Sequence, residues 1–184
     1  MLDKKRIIIV SAIICLIVIF IIGAYNIFNN NKPIPIIEYI PQEEISEEQM
    51  RKTGVTLYFQ NDDKIVPEIR MLDVKELIVN PYEKILTLLI DGPKNENLIK
   101  TIADGTKINK IQKEGEVLII DFSKEFIQNH KGGEDLEKLT IKSIVNSITE
   151  LTEINGIKIL IDGEENKSFI DGKINFKDIF KREN

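Results

Sequence analysis

A two-layer α+β sandwich is predicted, with a mixed β-sheet covered on one face by two helices in the order β-β-α-β-β-α-β. Three observations lead there. Short runs alternating apolar and polar residues mark strands, two longer stretches carry apolar residues at helical spacing, and Asp-Gly and Asn-Gly pairs fall between them as turns. Sheet plus helices in this order packs as layers around one core.

The globular unit is read as residues 54–180, with a short tail at 181–184. "GVTLYFQ" alternates and is rich in β-branched and aromatic residues, so it is a strand, and "EIRMLDV" follows as a second strand after an "NDDK" turn. In "NPYEKILTLLIDGP", Asn80 is placed as N-cap, Pro81 opens the helix and Gly92-Pro93 stops it. Tyr82, Ile85, Leu86, Leu89 and Ile90 then share one face. "NENLIKTI" reads as a further short helical turn. "KINKIQKEGEVLIIDF" is a hairpin around Glu114-Gly115. The second amphipathic helix, "GEDLEKLTIKSIVNSITELTEI", turns Leu136, Leu139, Ile144, Val145, Ile148 and Leu151 inward and breaks at Asn155-Gly156. "IKILIDGE" is the last strand, and the partly apolar tail "SFIDGKINFKDIF" folds back over the core.

Ahead of this unit lie three different segments. Residues 1–6 hold Lys4, Lys5 and Arg6, and from Ile7 to Phe28 the chain has no charge. As a helix that run would measure about 33 Å, enough to cross a hydrocarbon core of roughly 30 Å. The cationic start sets the N-terminus in the cytoplasm and the rest outside. Ile7, Ile14, Cys15, Ile21 and Phe28 are thus expected inside the bilayer, the lipid being the first partner. Cleavage near Ala24, releasing a secreted protein, is the alternative. Residues 29–53, with Pro33, Pro35, Pro41 and the acids Glu43, Glu44, Glu47 and Glu48, read as a solvated tether.

Composition removes several functions. A net charge of −5 is unsuited to a nucleic-acid surface, which needs clustered Lys and Arg. One Cys and one His exclude an internal disulfide and any multi-histidine or Cys/His metal site. "VLIIDFSKEF" sets Asp121, Ser123 and Glu125 close together, and His130 follows. A serine nucleophile needs a base within reach and an oriented third group, and no Gly-x-Ser-x-Gly elbow holds Ser123. The structural reading is that Asp121 closes a strand, Ser123 caps a helical turn and Phe126 enters the core. Asp91, Asp104, Asp162 and Asp171 all precede glycine and serve as turn residues. No catalytic residue, metal, cofactor or small-molecule substrate is expected. Protein partners or self-association are, and the stripe Thr140, Ser143 and Ser147 is the candidate interaction face, since small residues permit close approach. An envelope-polymer binder and an envelope hydrolase built on Asp121, Ser123 and His130 are the alternatives.

Six features in order carry a family resemblance: Tyr58-Phe59, Gly92-Pro93-Lys94, Gly105-Thr106, Asp121 to Phe126, Val145 to Glu150 and Asp162-Gly163. Together they resemble the GerM domain of bacterial sporulation and spore-germination proteins, over about Gly54 to Ile170. The resemblance implies a non-catalytic domain like the ring-building modules of secretion systems. The family's namesake carries two tandem copies and a lipoprotein anchor, whereas this chain has one copy behind what reads as a transmembrane helix.

Overall fold

Burial alternates residue by residue along Lys52–Asn61, with Val55, Leu57 and Phe59 inward, as a strand with one wet face requires. This is β1 of the computed structural model, which describes residues 4–30, 51–170 and 173–183, with side chains from residue 13 to 26 in the first of these spans. The chain divides into two compact units, Met1–Glu44 and Ile45–Asn184.

In the first unit, helix α1 runs Lys4–Asn30. Ile14, Cys15 and Ile21 are exposed on it, and the side chains of Ile7 and Phe28 lie outside the described residues. Among the described residues no helix is long and apolar enough to cross a membrane. The stretch with described side chains is shorter than the roughly 20 residues a span needs. The expected transmembrane helix is therefore not shown by the structure. Of the expected tether at 29–53, residues 31–50 lie outside the described residues, and 52–53 already belong to β1.

In the second unit β1 pairs antiparallel with β2 (Lys64–Asp73), Leu57 opposite Glu68. Two helices follow: α2 (Val74–Val79), opened by an Asp73–Glu76 capping box, and α3 (Pro81–Asp91). The Asn80 side chain accepts the Glu83 N–H at 3.1 Å, and Gly92 ends α3 at φ 95°, a conformation costly for other residues. Ile85, Leu86 and Leu89 are buried, Tyr82 and Ile90 half-buried. Residues 93–100 form turns and one bridge, Ile99 to Gln60, rather than a helical turn.

Strand β3 (Ile108–Glu114) and β4 (Val117–Phe122) make the expected hairpin, and β4 pairs in parallel with β5 (Gly156–Ile161). Parallel neighbours need a long crossover, supplied here by α4 (Glu125–Gln128) and α5 (Glu134–Ile148). Helix α5 stops well before Asn155, with Thr149 as C-cap. Thr149 and Thr152 are β-branched and poor helix formers.

The α+β class and the order of main elements hold, but the single mixed sheet is replaced by two sheets, β1-β2 and β3-β4-β5. The reason lies in contacts distant along the chain. The outer edge of β1 is occupied by α5 hydroxyls at Tyr58 and by Ile99 at Gln60, so the hairpin has no edge left there to join β3–β5.

The tail does fold back. Phe169 and Phe176 are buried, and Phe180 exchanges two backbone hydrogen bonds with Ile157 at 2.8 and 2.9 Å. A Cβ on Gly156 would lie 2.7 Å from Ile179 Cγ2 and 3.2 Å from the Phe180 carbonyl. Gly156→Ala is thus expected to cost about 1–3 kcal/mol and detach the tail, read as a lower denaturation midpoint with faster proteolysis after Phe176.

Candidate functional site

The corner after β4 holds the residues with the most reactive chemistry, and each is committed to the fold. Asp121 Oδ1 accepts the Gly163 N–H at 2.9 Å, fixing the turn after β5. Ser123 and Lys107 clasp each other: the Ser123 N–H donates to the Lys107 carbonyl at 2.9 Å, and the Lys107 N–H donates to Ser123 Oγ at 3.0 Å. The Ser123 hydroxyl also bonds the Glu125 carboxylate, which together with the Glu125 backbone N–H holds that acid below its ordinary pKa. Helix α4 has Lys124 at its N-cap with no side-chain cap bond, so the expected capping role of Ser123 is replaced by this cross-strand clasp.

His130 is buried and turns elsewhere. Its Nδ1 accepts the Gly132 N–H at 3.1 Å, Nε2 lies 2.9 Å from Thr140 Oγ1, and its ring stands 4.5 Å from that of Phe169. An acceptor at Nδ1 leaves the ring proton on Nε2, donated to Thr140. His130 is thus engaged by Gly132 and Thr140, and Ser123 by Lys107 and Glu125, whereas a serine nucleophile needs its base and orienter in one chain of hydrogen bonds. His130 and Thr140 instead line a cavity of about 290 Å³ with Gln60, Lys100, Thr101 and Asn129. Among the described residues no group of three or more His, Cys, Asp or Glu could hold a metal ion.

Thr140, Ser143 and Ser147 are buried, not displayed. Their small size does allow close approach, but the element that approaches is β1 of the same chain. Ser143 Oγ donates to the Tyr58 carbonyl at 2.6 Å, and the Tyr58 N–H donates to Ser147 Oγ at 2.9 Å. Ser147 donates its own O–H to the Ser143 carbonyl at 2.7 Å, and Thr140 shares its one O–H between the Thr101 and Leu136 carbonyls at 3.0 Å each. Helix hydroxyls thus finish a strand edge that would otherwise bury unpaired amides. Ser147→Ala leaves the Tyr58 N–H without its acceptor and should cost about 1–3 kcal/mol in denaturant unfolding, against about zero for Thr87→Ala on the exposed face of α3.

Glu68 and Arg70 escaped notice in the sequence. They sit two apart on β2, facing inward beside Val66, and form a largely buried ion pair. Arg70 Nη2 donates to the Gly92 carbonyl at 2.9 Å, while Glu68 accepts from the Lys94 and Asn95 N–H groups at 3.0 and 2.9 Å. Burial pushes the Glu68 pKa up, but the bonds from Asn95, Arg70 and Lys94 outweigh it and hold the carboxyl below its ordinary value. The pair therefore fixes the Gly92-Pro93-Lys94 turn. Two charges at i and i+2 on the face shared with Val66 are the signal that could have revealed it.

A second missed cluster ties the chain end down. Arg182 donates to Glu150 Oε1 at 2.8 Å and to the Tyr58 hydroxyl at 2.7 Å, with its guanidinium 5.3 Å from the Tyr58 ring centre. Apolar side chains are also exposed along β2 and the α2 helix that follows it. Ile69, Met71, Val74, Ile78 and Val79 are all exposed, Ile69 at 69% and Val79 at 90%. Such clustering marks contact surfaces rather than catalytic ones.

The comparisons agree with the fold. The chain resembles the tandem GerMN domains of the sporulation protein GerM from Bacillus subtilis, with TM-score 0.61 and 16% identity over 78% of this chain and 50% of that one. It thus spans half of that tandem structure. The first GerMN domain of the same protein aligns with TM-score 0.58 and 21% identity, over 71% of this chain and 98% of that one. A putative lipoprotein from Clostridium perfringens aligns with TM-score 0.51 and 25% identity, over 72% and 89%. No curated protein matches the sequence. The family model described as "Germane: Sporulation and spore germination" matches residues 56–167, nearly the whole span from β1 to the turn after β5. This chain belongs to the Germane family of sporulation and spore germination domains.

Proposed function

We propose that this protein is a non-catalytic assembly module of the sporulation and germination apparatus, held on the outer face of a cell membrane by α1 and working by protein contact in a ring-like envelope complex. The Germane match over residues 56–167 carries the reading. It is supported by the commitment of Asp121, Ser123 and His130 to structural bonds. The membrane attachment is supported by the uncharged run Ile7–Phe28 behind Lys4, Lys5 and Arg6, and by the helical course of Lys4–Asn30. The acidic stretch before β1 supports a spacer between bilayer and domain.

The test is fractionation of native cells followed by cross-linking of the membranes. The full chain should require detergent for extraction, be cleaved by protease added outside protoplasts, and be recovered in cross-linked assemblies larger than itself. Recovery as a soluble, protease-protected monomer without cross-linked neighbours would overturn the proposal.

A further inference from the structure

We propose that the cavity beside His130 is a binding site for a small carboxylate with a short apolar body, held by Thr101 and Lys131. Thr101 carries the inference. It lines the cavity and is only 9% exposed, yet its hydroxyl has no hydrogen-bond partner among the described residues. A buried hydroxyl without a partner is costly and rare in a native fold, and one at a cavity wall is open to an occupant. The polar groups around it are already engaged. Thr140 Oγ1 accepts from His130 Nε2 at 2.9 Å and shares its O–H between two carbonyls, one of them that of Thr101. Gln60 and Ile99 exchange backbone hydrogen bonds at 2.8 and 3.1 Å, which fixes another part of the wall. The site is therefore largely formed before anything enters, as ligand sites usually are.

Charge and size select the occupant. Lys100 and Lys131 line the cavity against a single carboxylate, Asp104, and His130 is neutral with its Nδ1 accepting from Gly132. Lys100 is bonded to Asp104 at 2.7 Å, so among the described lining residues Lys131 is the cation without an ion pair. Its charge reaches the same mouth: the bond and charge of Lys100, and then the charge of Lys131, hold the Asp104 carboxyl below its ordinary pKa. One uncompensated positive charge suits a monoanion. The Thr101 O–H can then donate to a carboxylate oxygen while Lys131 pairs with the anion, a charge-assisted arrangement stronger than neutral bonds. Ile99, 48% exposed, and half-buried Leu136 supply apolar wall for a short hydrocarbon chain. At about 290 Å³ the cavity lies at the lower end for ligand sites, so the occupant is small. The site binds without turnover, and it is independent of the proposed ring and membrane attachment, either of which can fail without touching it.

Amide NMR of the isotope-labelled full chain in neutral detergent, titrated with butyrate, butyramide, N-acetylvaline and inorganic phosphate, tests it. Butyrate should give saturable shifts at the Thr101, His130 and Lys131 amides, and the neutral butyramide should bind at least roughly tenfold more weakly. N-acetylvaline offers its carboxylate as a peptide end does. Tighter binding than butyrate makes the ligand a peptide C-terminus and weaker binding makes it a free acid; both support the site. Lys131→Gln and Thr101→Val should each weaken butyrate at least about fivefold. Thr101→Val should also melt at or above the parent temperature, since valine removes a hydroxyl that the unliganded fold does not use. No saturable shift in the folded parent would overturn the proposal and leave the Thr101 hydroxyl to solvent. Butyramide or phosphate binding as tightly as butyrate would overturn it too, as would a Thr101→Val chain that binds butyrate normally or melts lower.

Discussion

Arg70→Met is expected to lower the unfolding free energy by about 3–5 kcal/mol, the largest effect of any single polar substitution in the domain. Removing one partner of a buried pair leaves the other charge stranded, here Glu68 beneath the 92–95 turn. The Gly92 carbonyl loses its donor as well. Replacing both charges by apolar residues, Glu68→Leu with Arg70→Met, should recover part of the loss, although the Lys94 and Asn95 amides then stay unpaired. Urea unfolding of the parent chain and these two variants checks this, provided the m-value is constant. The same pair makes stability pH-dependent in a defined direction. The folded-state pKa of Glu68 is depressed, so its contribution is fully present above the ordinary carboxylate value and is lost as pH falls through the lower folded one. Arg70→Met should flatten that acid limb; an unchanged limb would show that other carboxylates dominate it.

Phe126→Ala should cost about 3–5 kcal/mol, as large-to-small changes in a packed core do. Phe126 is fully buried at the meeting point of three rings, stacked on Phe122 at 4.6 Å and against Phe169 and Phe176 at 5.4 and 6.0 Å. These rings come from β4 and from the returning tail, so one truncation loosens both. The expected signs are a lower melting temperature and faster proteolysis of the tail. An effect near that of a surface change would mean that the tail packs elsewhere.

How much of this was legible in the sequence depended on how local the cause was. The hairpin around Glu114-Gly115, the Asn80-Pro81 helix start and the inward Phe126 follow from neighbours in the chain. What failed was long-range. The sheet divides in two because Ser143 and Ser147 cap a strand some 85–89 residues away, and periodicity along a helix does not say which of its faces meets a strand edge. For the same reason the small-residue stripe suggests a partner-facing surface in the sequence, whereas Ser143 and Ser147 bond Tyr58 of β1. Ser123 was assigned to the helix next to it, yet its partner is Lys107, 16 residues earlier, across the β3–β4 hairpin. The Glu68–Arg70 pair was passed over because a charged i, i+2 pair in a strand ordinarily faces water, and only the 92–95 turn gives it an interior role.

At the centre of the account stands the claim that this domain acts through surfaces and not through the reactive side chains of its β4 corner. The direct measurement is the yield of heat-resistant, germination-competent spores in the native host when the chain is replaced by Ser123→Ala or by Met71→Lys, each first shown to be folded. The account expects the Ser123→Ala strain to match the parent and the Met71→Lys strain to be defective. A folded Ser123→Ala chain that abolishes function, with Met71→Lys indistinguishable from the parent, would contradict it.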